Sequence, residues 1–159
     1  MSVDGGLRYP VRMVLRRVPR FRIDPSLSHS GVFDGGWWPR SRRIERELPG
    51  LVQALWPVVG PVLHVAVERS AWDGVPERIT VGGHVVRINC FSSSAHTMSV
   101  GGGHQDHFLL LVVPPATRRS VALAAVASAA SPGNSRPASR LLASPARRGR
   151  SQPLPPLPQ

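Results

Sequence analysis

The sequence predicts an α+β domain: a mostly antiparallel sheet of about five strands, one or two helices packed on one face, and a disordered basic C-terminal tail. Three observations carry this expectation. Arg78–Val81 and His84–Phe91 are β-rich runs on either side of Gly82-Gly83, the pattern of a tight hairpin. A second pair, His96–Val100 and His107–Val113, flanks Gly101–Asp106. Ile44, Leu48, Leu51, Val52 and Leu55 recur at helical spacing and form one apolar stripe.

Taken in order, residues 1–19 hold Gly and Arg without a stable period and read as a basic arm, with a short alternating run at Val11–Leu15. Phe21–Ile23 reads as the first strand, ended by the turn Asp24-Pro25-Ser26. Asp34-Gly35-Gly36 reads as a turn whose glycines are free to take positive φ. Pro39 disfavours a helical Trp38, so Trp37-Trp38 should be extended. Successive side chains in an extended segment alternate faces, which predicts one buried indole and one exposed or capping a groove. Ser41 is the expected N-cap of the helix that follows.

Pro49-Gly50 interrupts that helix. An interior proline costs about 3 kcal/mol, so a kink or two abutting helices are expected near Leu48. Val62–Val67 alternates as a strand, and Ala71–Pro76 reads as a loop carrying Trp72. The apolar run ending at Val113 should be a central strand covered on both faces, stopped by Pro114-Pro115. Thr117 can cap a helix over Arg118–Ala130. Beyond Ser131, Pro, Ser, Arg and Ala dominate without periodicity, too little apolar surface to offset ordering entropy. The expected organisation is an arm at 1–19, one domain at 20–130, and a disordered tail at 131–159.

All 20 basic residues are arginine, set among 17 prolines and 15 glycines, a composition typical of GC-rich coding. Arginine count alone is therefore weak support for nucleic-acid binding. Position says more: residues 1–23 balance at +5, residues 24–106 at −1, and residues 107–159 at +7. The basic ends suit phosphate backbones, anionic membranes or acidic proteins without choosing among them. Cys90 is the one cysteine, which excludes an internal disulfide and reads as an inert buried thiol. No run reaches the length of a membrane span, and arginines interrupt the N-terminus where a signal peptide would be apolar. A cytoplasmic protein is the expectation.

Candidate chemistries are thin. His104-Gln105-Asp106-His107, with His96 nearby, gathers metal-ligating residue types, but zinc needs three or four converging ligands and a solvated loop is the simpler reading. There is no G-x-S-x-G elbow, and Gly101-Gly102-Gly103 lacks dinucleotide-binding spacing. Arg150–Pro158 fits a polyproline ligand pattern, read here as a plain disordered end.

The blocks D-G-G-W-W-P-R-S-R, A-W-D-G-V-P and L-L-V-V-P-P-x-T resemble a family of small actinobacterial proteins known only as a domain of unknown function. The resemblance spans roughly residues 20–130, and its motif positions fall on Asp34, Gly35, Trp37, Trp38, Pro39, Arg40, Ser41, Trp72, His96 and Pro114. It implies domain limits and no activity or cofactor. Gly101–His107 and the basic tail depart from it.

The expectation is a non-enzymatic binding or scaffold module, with no cofactor, metal or catalytic residue. Its ligand or protein partner would meet a surface corner made of Asp34, Trp37, Trp38, Arg40 and Ser41, with Trp72 and His96. The alternatives are an enzyme with His96 as acid–base and Asp34 or Asp73 as its partner, and a weak, nonspecific nucleic-acid binder acting through the arginine arms.

Overall fold

The computed structural model describes residues 18–92, 94–102 and 107–143. The short strand expected at Val11–Leu15, the loop histidine His104 with Asp106, and the proline-rich end lie outside these residues. The α+β class stands, but among the described residues the sheet has seven strands and is mixed, not about five and mostly antiparallel.

The strands are β1 Phe21–Ile23, β2 Gly35–Trp37, β3 Val62–Glu68, β4 Arg78–Val81, β5 His84–Phe91, β6 Thr97–Gly102 and β7 His107–Val112. Their spatial order is β1-β2-β7-β6-β3-β5-β4. Helix α1 is Ile44–Val59, α2 is Arg119–Ala129 and α3 is Ala138–Leu141, with a 3₁₀ turn at Arg69–Ala71. The two hairpins form as their sequences suggest. Gly82 and Gly83 both take positive φ (56° and 84°), which is what a two-residue turn matched to strand twist requires.

The parallel pairings are what local signals could not show. β2 lies parallel to β7, and β3 lies parallel to β5. Since β7 and β3 are each antiparallel to β6, strands β2, β7, β3 and β5 all run the same way. Four chain segments therefore leave the sheet at one edge.

β2 itself replaces the expected turn. Gly35 and Gly36 are extended and buried, chosen for space and not for positive φ. A Cβ on Gly35 would collide with the carbonyl oxygen of Arg22, and one on Gly36 would meet the Cα of Val126 at 3.0 Å. Helix α2 crosses directly over β2 at that point.

The helices cover both faces of the sheet, not one. α1 buries Ile44, Leu48, Leu51, Val52 and Leu55 against Val65, Val67, Val86, Met98 and Leu110. On the other face α2 buries Ala122, Ala125, Val126 and Ala129 against Trp38, Leu111 and Val113. α1 is one uninterrupted helix despite Pro49 and Pro57. Five buried aliphatic side chains, each worth about 1.5–3 kcal/mol, outweigh the bond that Pro49 removes.

Residues 131–143, expected to lack order, turn back onto the domain. The Val32 N–H donates to the Asn134 carbonyl at 2.7 Å, and Leu141 is buried beside Phe33 and Val113. A single buried leucine supplies what composition over the whole tail could not reveal. Among the described residues, no helix is long and apolar enough to cross a membrane.

Candidate functional site

The tryptophan corner is built inward. Trp37 points to the α1 face and Trp38 to the α2 face, as alternation requires, but both are buried, at 1% and 5% exposure. The expectation of one exposed indole fails because each sheet face carries its own helix. Trp72 is buried too and stacks on Trp37, centroids 5.6 Å apart. The Arg20 guanidinium lies 3.6 Å over the Trp38 ring and donates to the carbonyls of Trp38 and Pro39, each at 3.0 Å. Burial, and then the nearby charge of Arg40, lower the Arg20 pKa from its usual value. Arg40 is exposed; its guanidinium donates to the Val18 carbonyl at 2.7 Å.

Asp34 sits elsewhere. Its carboxylate accepts the Leu109 N–H at 2.8 Å and pairs with His29 at 3.0 Å. It therefore ties β2 to the start of β7, away from the edge where the co-directed strands end. Asp73 is bound to Arg42 at 2.9 Å. Neither carboxylate is the partner of His96.

The remaining candidates converge. A cleft of about 280 Å³ opens just beyond the C-terminal ends of β2, β3, β5 and β7. Pro39, Ser41 and Arg42 come from the connection after β2, and Pro114 and Pro115 from the one after β7. Glu68 ends β3, Ser70 and Trp72 follow it, and Ala95 and His96 lie between β5 and β6. β2 and β7 are adjacent and parallel, yet the chain leaves β2 for α1 on one face and β7 for α2 on the other. Connections that part to opposite faces open a crevice, the usual ligand position in open sheets with parallel strands.

The cleft walls are pinned. Glu47 accepts the Arg40 N–H and the Ser41 hydroxyl, while the Arg43 N–H donates to Ser41 Oγ. Ser41 thus serves the helix start from two residues before Arg43, the actual cap position. Arg42 donates to Asp73 and to the Ser70 carbonyl, holding the segment after β3. That ion pair is largely exposed and worth at most about 1 kcal/mol, so it positions more than it stabilises.

His96 takes a left-handed backbone conformation, φ 59°. Its carbonyl accepts the Val112 N–H at 2.8 Å, and its own N–H faces Glu68 Oε1 at 3.5 Å. The other Glu68 oxygen accepts the Ser70 hydroxyl. His96 and Glu68 therefore line one apolar-walled cleft and meet there through the His96 backbone N–H. Sequence reasoning missed Glu68 and Ser70 because they close a strand whose end looked like ordinary solvated polarity. Only the antiparallel β3–β6 pairing, which sets Val67 opposite Met98, brings them to His96.

A second hollow of about 360 Å³ lies over Arg20, Trp38, Leu123 and Val126. Of the two arginines lining it, Arg20 and Arg22, Arg20 is committed to the corner. Among the described residues, no three His, Cys, Asp or Glu side chains gather to hold a metal ion. His107 starts β7 with its ring 5.7 Å from that of His64, far along the sheet from His96.

No curated protein and no solved structure matches the chain. A family model does match, over residues 20–129, which includes every strand among the described residues, α1, all of α2 and the whole cleft. The chain belongs to this family of unknown function, DUF5994.

Proposed function

We propose that the chain is a binding module whose ligand occupies the cleft beyond β2, β3, β5 and β7. The observation carrying this is the cleft's place where adjacent parallel strands send their chains to opposite faces. The binding surface shifts from the indoles to what they support. Trp37 and Trp38 form the rigid base; Ser41, Arg42, Trp72 and His96 border the space. Prolines 39, 114 and 115 with Ala71 and Val112 supply an apolar wall, and Glu68 with His96 supplies polar groups on one side. Such a lining suits a small amphipathic molecule that presents a hydrogen-bond donor or amine to Glu68.

A second reading rests on the same pair: His96 acting as acid–base beside Glu68. It differs in requiring turnover. Binding through the arginine arms concerns residues that lie largely outside the described structure, Arg136 and Arg140 of the C-terminal segment excepted.

The test is a thermal-shift screen of small amines and alcohols against the wild-type chain and Ala95→Trp. Ala95 is exposed at the cleft rim, so its replacement fills the opening without entering the core. Ligands that raise the wild-type midpoint and leave Ala95→Trp unmoved support the proposal. Ligands that stabilise both equally refute it.

A further inference from the structure

The α2 face of the sheet is only partly covered. α2 lies over β1, β2 and β7, and among the described residues nothing packs on the same face of β6, β3, β5 and β4. Strand pairing sets out what this open face displays. Arg78 is opposite Arg87, Arg87 opposite His64, His64 opposite Gly101, and Gly101 opposite His107. Paired residues share a face, and their sequence neighbours Ile79, Val86, Val65, Val100 and Phe108 go to the α1 core, so this row points outward.

The row crosses five strands. Four spacings of about 4.8 Å make it about 19 Å long. Arg78, Arg87 and His107 are exposed and His64 is half-buried. Gly101 makes the row continuous, since a Cβ there would overlap the His64 ring. Among the described residues neither arginine has an ion-pair partner. Directly opposed like charges destabilise a strand pair, so the register places a cost where an anion would relieve it.

Flanking rows are neutral. On one side stand Thr80 and Val85; on the other, Asn89, Ala66 and Ser99. Phe91 follows on the same face of β5, opposite Glu68, which lies about 13 Å along β3 from His64.

We infer that this open face binds a single strand of nucleic acid, laid across the β-strands. A line of hydrogen-bonding side chains about 19 Å long, begun by the guanidiniums of Arg78 and Arg87 and continued by the imidazoles of His64 and His107, fits a polyanion better than one phosphate, which needs donors converging on a point. The phosphates run along Arg78, Arg87, His64 and His107. The bases lie over the small residues Ala66 and Ser99, with Asn89 as a hydrogen-bonding group and Phe91 as a stacking ring. The Arg78–His107 row is separate from the cleft and from the arginine arms; Phe91, opposite Glu68, is where the surface borders the cleft.

Fluorescence anisotropy of a labelled oligothymidylate of about 12 nucleotides, with the full chain across about 50–200 mM salt, tests it. Arg78→Gln with Arg87→Gln should lower the slope of log affinity against log salt by about 1.4, two phosphate contacts at about 0.7 each. Phe91→Leu, which keeps apolar bulk, should weaken binding about tenfold and leave the slope unchanged. Matching circular-dichroism melts establish that the variants fold. The inference is overturned if the double arginine variant keeps wild-type affinity and slope, which would assign binding to the arms. It is also overturned if a polyglutamate peptide competes as well as the oligonucleotide, or if nothing binds at the lowest salt.

Discussion

Asp24 shows how one side chain organises a loop that has no regular structure. Its Oδ1 accepts the Ser26 N–H and hydroxyl at 2.9 and 2.7 Å, and Oδ2 accepts the Ser28 hydroxyl at 3.2 Å. The Ser26 hydroxyl, then the Ser26 N–H, and to a smaller degree Ser28 hold this carboxyl below its ordinary range, against the opposing effect of burial. A depressed folded pKa contributes stability that is full above the unfolded value, about 3.9, and lost as pH falls through the folded value. Urea midpoints should therefore hold near pH 6 and decline below about pH 4. Ser26→Ala raises the folded pKa toward the unfolded one, so its midpoint should decline less over the same range. An identical acid profile for the two proteins would contradict this reading. The turn at Asp24-Pro25-Ser26 was legible from residue types alone, because Asx chemistry is local. The partners of Asp34 were not, since Leu109 lies 75 positions away in sequence.

At the scale of elements, the decisive contact is α2 on β2. A Cβ on Gly36 would press on the Cα of Val126 at 3.0 Å, and that atom is backbone, which cannot swing aside as a side chain can. Gly36→Ala should therefore destabilise by about 1–3 kcal/mol, the usual range for overpacking, read as a lower urea midpoint at unchanged slope. A neutral result would mean that α2 does not sit where it is placed. Elements with their own periodicity or turn chemistry were legible in the sequence: β4–β5 around Gly82-Gly83, and α1 from Ile44 to Leu55. β2 was not, because Gly35-Gly36 satisfies a turn pattern as well as a strand that needs close approach. Pro49 misled for a related reason. Propensity is a local quantity, and five buried side chains on α1 override it.

Over the whole molecule, the strands that share a direction decide where function is placed. Their ends gather residues from positions 39 to 115 into one cleft, and no local pattern encodes that gathering. His96, Ser41 and Trp72 could be picked from sequence as unusual, whereas Glu68 and Ser70 needed the topology. The C-terminal segment belongs to the same whole. Leu141 lies beyond the family match yet is buried in the α2 core at 5% exposure. Leu141→Ala should cost about 2–5 kcal/mol, and ending the chain after Ala130 should cost at least as much. Unchanged stability in both would show that this segment adds nothing to the fold.

The central claim is that the cleft between the β2 and β7 connections is where a ligand binds. Amide and indole chemical shifts of the isotope-labelled chain, titrated with a fragment that raises its thermal midpoint, test this most directly. The expected result is saturable shifts at Ser41, Ser70, the Trp72 indole, Ala95 and His96, with the β1 edge and the Asp34–His29 pair unmoved. Shifts confined to any other surface, with these five resonances still, would contradict it.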